Sequence, residues 1–528
     1  MRIHLELPID ASSVLSARIT YAFRLFCAIY GHEPFVNRTG HPTVDVVISY
    51  LTRAGHSAQP AVLLTNGYRA RDPHQPAPSP IHYTDGTNHT LLHYAPLNGR
   101  SPDWLGEIFE WVSCADEYSV TRYDEVDRPL FSATYAGAHG ISTHVPYAAI
   151  AMQCLQRQIC RAVPRAEEKP RAPEGLGTSL SAHYIIPTHD VDYFSVSRLH
   201  AINRLARNAV ISSVLANRPI LGMRQAMHAA RIAAGTAEDP LDTIAVLAHE
   251  ERRRGIAATY NFLVRHAHRL DATYTIDHEG VVPTMHWLQS QGMEIGLHGS
   301  YTCLDTPLGF NHELDAMRAH GFHPQGVRQH WLRYTLDRLI PAVERAGLRY
   351  DTSIGWSARV GFRAGACFAF PPYNFAEERP AAFLEIPLVM MDQALRSPHN
   401  SVEEMLVVAE QALSESRRFG WGGISVLWHP TAFGSGWLPS EIGDIFWRLA
   451  DARSDLGDRW MTAAEFTEAI GHRYVEVGLL PAVAPQPAQE WRLSPSLQPQ
   501  SLTPALPAAA GAAFATSELL SARKLHHS

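Results

Sequence analysis

Lysine is all but missing from this 528-residue chain: of 45 basic residues only Lys169 and Lys524 are lysines, and the rest are arginines. Both lysines fall in segments that read as linker or tail. Schiff-base chemistry, a lysine-anchored pyridoxal cofactor, a P-loop and a kinase-type lysine therefore have no residue to use. Cysteine is sparse too. Cys27, Cys114, Cys154, Cys160, Cys303 and Cys367 are scattered and form no Cys-x-x-Cys pair, which argues against a disulfide scaffold or a thiolate zinc site. Neither Gly-x-Ser-x-Gly nor His-Glu-x-x-His occurs, so the usual serine-hydrolase and zincin chemistries drop out. Excess positive charge is lacking as well: 45 basic residues stand against 52 acidic ones, for a net charge of −7, and nucleic acid is not an expected partner. The N-terminal stretch carries Arg2, Glu6, Asp10, Arg18 and Arg24 and has no apolar core of an export signal. Each long uncharged run is broken by proline, at Pro146, at Pro430, and at Pro495, Pro499, Pro504 and Pro507, so no transmembrane segment is expected. The expectation is a soluble, cytoplasmic protein.

With 46% hydrophobic and 18% charged residues, the composition is that of a globular protein. Its length suits two domains or one large barrel with additions. Residues 163–180, VPRAEEKPRAPEGLGTSL, hold three prolines, two glycines and mixed charge, the composition of a linker. The GLGTSL within it is a broken Gly-x-Gly-x-x-Gly that follows no strand and carries no phosphate-binding implication. Before the linker, residues 1–162 read as a smaller α/β domain, with strands expected near 44–51 and 61–65 and helices over 15–30 and 104–112. After it, residues 181–480 alternate short apolar runs (183–187, 257–263, 294–298, 326–330, 384–390, 424–429) with helical stretches. That pattern implies a parallel sheet with helices outside. Residues 481–528, rich in proline and alanine, read as a disordered tail.

Ionisable residues collect where those strands should end. HYIIPTHDVDYF (183–194) runs an apolar strand into Asp190 and Asp192, which alternation places on one face with Thr188. Two carboxylates so close repel each other unless they share a cation or a proton. GMEIGLHGSY (292–301) delivers His298, GVRQHWLRY (326–334) puts Arg328 and His330 on one strand face, and ISVLWHP (424–430) ends at His429. All four sites lie at the C-terminal ends of expected parallel strands, where barrel active sites are built. Asp392, in PLVMMDQAL, ends another such strand, where it either lines the cleft or caps the next helix.

In order and spacing these residues resemble the NodB-type polysaccharide deacetylases, carbohydrate esterase family 4. The shared pattern is Thr-x-Asp-x-Asp, a strand-end His, Gly-x-Arg, Asp351 with Trp356, and Leu-Trp-His. The wording THDVD, EIGLHGSY, GVRQHWLRY, YDTSIGW and GFRAG, with WLGEIFEWVSCADEYSVTRYDEVDRPLF before it, is similar to a bacterial subgroup with an extra N-terminal domain, often encoded near surface-polysaccharide genes. The resemblance spans about residues 100–470. It implies a distorted (β/α)7 barrel and a hydrolase of non-peptide carbon–nitrogen bonds, using zinc or another divalent metal to remove acetyl groups from an N- or O-acetylated carbohydrate. It further implies Asp190 as general base, Asp192 and His298 as metal ligands, Arg328 as the residue orienting the base, and His429 as general acid. The usual adjacent aspartates are here split by Val191, and position 302, where a second metal histidine belongs, is Thr302. Since catalytic zinc generally takes three protein ligands, His330 is the expected replacement, two residues past Arg328. The alternative is a barrel that has lost its metal and binds a glycan or a partner protein without turnover. Finally, the segment 195–235 carries six arginines; it reads as a solvated helical insertion, or else as a lid or a contact for an anionic surface.

Overall fold

The computed structural model describes residues 1–8, 10–36, 44–50, 61–64, 68, 70–84, 89–96, 101–176, 183–195, 197–215, 219–396, 401–434 and 441–482. The expected tail from residue 483 onward, the last four residues of the expected linker and the C-terminal residues of the two expected N-terminal strands lie outside them.

The chain begins with a strand, β1 (Arg2–Glu6), then a helix over Ser13–Tyr30 and β2 (Glu33–Val36). The helix starts where the Ser12 hydroxyl accepts from the Leu15 N–H, and it stops at Gly31, whose φ of 70° suits a residue without a Cβ. With β3 (Val46–Ser49) and β4 (Ala61–Leu63) these strands form a parallel sheet in the order β2-β1-β3-β4. A hairpin of β5 (Ile81–Thr84) and β6 (His89–Leu92) comes next, then helices over Trp104–Val112 and Tyr147–Ala162.

The larger sheet uses β7 (Tyr184–Val191), β8 (Thr259–Phe262), β9 (Glu294–Gly299), β10 (Gly326–Gln329) and β11 (Tyr350–Asp351). A two-stranded ribbon, β12 (Tyr373–Asn374) and β13 (Arg379–Pro380), leads to β14 (Leu384–Glu385), β15 (Leu388–Met391), β16 (Gly422–Leu427) and β17 (Arg459–Trp460). The order β14-β11-β10-β9-β8-β7-β16-β15 is parallel throughout, with β17 beside the start of β7. Parallel sheets are covered on both faces, and β7, β8 and β16 are buried along their whole length. The sheet curls. Its two end strands, β14 and β15, are successive pieces of chain, and the Leu388 N–H donates to the Ile354 carbonyl just past β11 at 3.0 Å. The fold is mixed α/β with a curled, eight-stranded parallel half-barrel, consistent with a barrel.

Pro187 lies within β7 although proline is poorly tolerated in central strands. On that side β17 covers only Tyr184 and Ile185 and β8 begins at Thr188, so Pro187 faces the gap between them. Packing runs on from the N-terminal part into the barrel: Phe26, Trp104 and Leu155 belong to the same apolar cluster as Ile186, Phe370 and Ile470. Polar ties reinforce it, among them Arg18 to Glu378 and the Trp421 indole N–H donating to the Ile29 carbonyl.

Candidate metal centre and active site

The site is built at the C-terminal ends of the barrel strands. Asp190 is the penultimate residue of β7 and is buried. Asp192 lies one residue past the strand, turned inward by a tight loop in which its N–H donates to the Asp190 carbonyl at 3.0 Å. On the neighbouring β8 the Asn261 amide donates to Asp190 Oδ1 at 2.8 Å. Asn261 pairs in register with Gly296 of β9, and a Cβ there would sit 2.2 Å from Asn261 Oδ1. Glycine at 296 is what leaves room for the amide that holds Asp190.

His298 ends β9 but one, and His330 is the first residue beyond β10 rather than part of the strand, as the alternation had it. Their tautomers are set by their partners. His298 Nδ1 lies 2.9 Å from the Arg328 carbonyl and His330 Nε2 lies 2.8 Å from the Leu270 carbonyl, and a carbonyl only accepts. Both outer nitrogens are therefore N–H donors, and the inner ones, His298 Nε2 and His330 Nδ1, face each other at 2.9 Å with their lone pairs. Asp192 Oδ1 joins them, 3.2 Å from His298 Nε2 and 3.5 Å from His330 Nδ1, and it is buried without a well-aligned donor. Three electron-pair donors aimed at one point need a shared cation or a proton between them. The ligand atoms of Asp192, His298 and His330 lie within 4.8 Å of one another, and an Asp-His-His set of this kind could hold a divalent metal, with each imidazole fixed by a backbone carbonyl behind it.

The backbone just after His330 is unusual. Trp331 and Leu332 adopt left-handed φ values of 62° and 51°, a conformation that costs non-glycine residues energy and persists where the surroundings impose it. The Trp331 indole N–H donates at 3.1 Å to the same Leu270 carbonyl that His330 uses. Thr302 is not among the ligand atoms; it sits at the start of a short 3-10 turn over Cys303–Asp305.

Across the cluster, His429 lies just past β16. Its Nδ1 lies 2.9 and 3.1 Å from the two oxygens of Asp392, whose Oδ2 also accepts from the His429 N–H at 2.9 Å. Asp392 opens the helix Asp392–Arg396 and its Oδ1 also takes the Gln393 N–H, so it holds the start of that helix and His429 at once. His429 Nε2 is left pointing at the cluster, 3.5 Å from Asp192 Oδ2. Burial opposes a charge on this ring, but Asp392, with help from Asp192 and Asp190, pushes it up to about 10. Burial likewise opposes charge on both aspartates. Yet His298, Arg328 and His429 hold Asp190 below the usual carboxylate value, and His330 and His298 hold Asp192 lower still. Of the two imidazoles, burial is outweighed by Asp190 and Asp192 at His298, which is raised, whereas it prevails at His330, which is lowered.

Arg328 is fully buried and contributes charge to Asp190 without bonding it. Its Nη2 donates to Thr188 Oγ1 at 2.8 Å, and the hydrogen bond to Asp190 comes from Asn261 instead. Asp351 turns away from the cluster: its carboxylate accepts from Ser353 and lies beside Glu385, its register partner, and burial raises both acids. Six expected residues thus converge on one mouth, Asp190, Asp192, His298, His330 and His429 directly and Arg328 from beneath. Asn261 was not anticipated, and only its polarity within an apolar strand, TYNF, marks it in the sequence.

No family model matches this chain, and no curated protein matches it. Among solved structures the chain is similar, with a TM-score of 0.34 and 15% identity over 61% of its length, to a Mycobacterium smegmatis protein provisionally described as a polysaccharide deacetylase, 99% of which is covered. Among the described residues no helix is long and apolar enough to cross a membrane.

Proposed function

We propose that this protein is a metal-dependent deacetylase of an N-acetylated, or O-acetylated, carbohydrate in surface-polysaccharide metabolism, acting in the cytoplasm. In this reading β14 and β15 are one interrupted strand of a seven-stranded NodB-like barrel, and residues 1–162 form a separate unit packed against it. The observation that carries the reading is the set of converging lone pairs on Asp192, His298 and His330, flanked by an anionic Asp190 on one side and a cationic His429 on the other. A divalent metal held there would polarise an acetyl carbonyl and lower the pKa of a water it binds towards ~7. Asp190 has one oxygen engaged by Asn261 and the other, 3.7 Å from His298 Nε2, turned to the cluster; that oxygen accepts the proton of the attacking water. Arg328 and the histidines keep it ionised and therefore ready. His429, charged and fixed through Nδ1 by Asp392, presents Nε2–H to the leaving atom. An amide needs this proton because a free amide anion is too basic to depart.

The alternative of a metal-free binding module drew its motive from Thr302, and His330 supplies a third donor without it. The test is metal analysis of the purified protein combined with acetate release from acetylated amino-sugar oligomers. The expected result is about one divalent ion per chain and activity lost on chelation and restored by zinc. Metal-free protein with no acetate release on any metal would overturn the proposal.

A further inference from the structure

The segment between β7 and β8 forms a helical hairpin, Arg198–Val210 and Pro219–Ala233, joined through a wider π-type turn at Ile211–Leu215. The two helices pack on each other through a small apolar cluster of their own, Ala201, Leu205, Ala229 and Ile232, separate from the main core. The outer surface is unlike the rest of the molecule. Of the twelve large apolar side chains exposed among the described residues, six lie here: Leu199, Val210, Val214, Ile220, Met223 and Met227, from 54% to 71% exposed. Charge is equally lopsided, for 195–235 contains six arginines and no acidic residue. Arg204 is tied to Asp239, while Arg198, Arg207, Arg224 and Arg231 form no ion pair with any described residue. On the second helix Ile220, Met223 and Met227 share a face with Arg224 and Arg231, by their spacing. Arg224, Met227 and Arg231, with His228, also line a shallow cavity of about 190 Å³ against Leu205 and Pro240.

We infer that this hairpin docks the protein on an anionic lipid surface, its apolar side chains entering the headgroup layer and its arginines meeting lipid phosphates. Apolar and cationic groups mixed on one helical face suit the bilayer interface, where arginine stems lie along apolar chains while the guanidinium reaches the phosphates. A solvated insertion would not concentrate half of the exposed large apolar residues, and a purely polyanionic partner would have no use for them. The uncompensated positive charge selects lipids of negative charge. The anchor of the hairpin lies beside the mouth: Tyr193 and Ser195, just past Asp192, both donate to Asp239, which also binds Arg204. Docking therefore brings the Asp192 end of the barrel to the membrane plane, whatever reaction occurs there.

The test is flotation of the full chain with vesicles of phosphatidylcholine alone and with about one-third phosphatidylglycerol. Binding is expected to the second only and to weaken with salt. Arg224→Gln with Arg231→Gln should weaken it about thirtyfold, since each basic residue near such a surface contributes about a factor of five. Ile220→Ser, Met223→Ser and Met227→Ser together should abolish it. All five positions are solvent-facing, so circular dichroism and thermal midpoint should be unchanged in both variants, which separates lost docking from lost folding. No vesicle binding by the parent chain would overturn the inference. So would a dimer in solution that the triple serine variant dissolves, or equal retention of parent and triple variant on dextran sulfate without vesicle binding.

Discussion

Two of the buried groupings of carboxylates and histidine among the described residues are put together in opposite ways. In the N-terminal part His93 lies against Glu107, on a helix that also carries Glu110 and is capped by Asp103. Every one of their oxygens is taken: Glu107 accepts from the His93 and Tyr94 N–H groups and from the His93 ring, Glu110 from Arg71 and Tyr94, Asp103 from Gly106, Tyr68 and Tyr50. At the barrel mouth, Asp192 Oδ1 has no aligned donor and two imidazole lone pairs face each other beside it. Buried polar groups are normally satisfied. A cluster that closes on itself is structure, and one that leaves its electron pairs open is prepared for something that enters.

The comparison breaks most sharply at Asp192. Asp192→Asn should empty or weaken the proposed metal site and with it remove nearly all turnover, whereas Asp190→Asn should keep the metal and still lose about 10²–10⁴ in rate, because Asp190 is the proposed proton acceptor. Metal content measured on both variants decides this, and equal metal loss would reverse the assignment of base and ligand. Both changes should also destabilise the metal-free protein, since each removes a carboxylate that the surrounding cationic groups hold ionised in the fold and leaves those groups less compensated.

At the closed cluster the reverse holds. Glu107→Ala strands the backbone donors of His93 and Tyr94 as well as the ring, and should cost about 3–5 kcal/mol of stability without altering the rate of whatever folded enzyme remains. Urea titration followed by tryptophan fluorescence measures it. The pH dependence has a definite sign. Burial works against a charge on His93, but Glu107 raises it above its ordinary 6.5. Its contribution is therefore complete below about pH 6.5 and is lost as the pH rises through the higher value of the folded state. Stability that increased over that range would mean His93 is neutral in the fold.

A smaller contrast separates the two flanks of the open cluster. If the substrate is an acetamide, His429→Ala should slow it by on the order of 10²–10⁴, while an activated acetyl ester, whose leaving group needs less help, should be slowed far less. Asp392→Asn should act in the same direction to a smaller extent, because it removes the partner that keeps His429 charged. Equal, small losses on both substrates would reduce His429 to a packing residue beside Trp428.

Much of the site is legible in the sequence because of where the strands end. Apolar runs such as 183–187 and 424–429 are long enough for their pattern to show, and a histidine or aspartate at the end of each stands out against them. β11 is only two residues long and β14 equally short, too brief for any periodicity, so the return of the sheet on itself is not visible there. Strand alternation places His330 inward, but the strand stops before it and the chain then turns through the left-handed Trp331 and Leu332, a conformation that no residue preference announces. The role of Arg328 is half visible: its charge is there, but its hydrogen bond goes to Thr188. Which neighbour on a sheet supplies a bond depends on register, and register appears only once the strands are side by side.

Register also sets the subtlest test. Asn261 reaches Asp190 because its partner on β9 is Gly296, and a methyl group there would lie 2.2 Å from Asn261 Oδ1 and 3.3 Å from Thr259 Cγ2. Gly296→Ala must therefore displace the amide. Asn261→Ala removes a hydrogen bond to a charged group, a contribution of about 1.5–3 kcal/mol, and should slow turnover by about ten- to a hundredfold with the metal retained. If the glycine acts only by making room for Asn261, Gly296→Ala should produce a loss of the same kind. The double variant should then be no slower than Asn261→Ala alone, because the methyl group no longer has an amide to displace. Such coupling is what a double-mutant cycle resolves. Additive losses would show that the methyl group disturbs the sheet itself, and that Asp190 is held by something other than the side chain opposite Gly296.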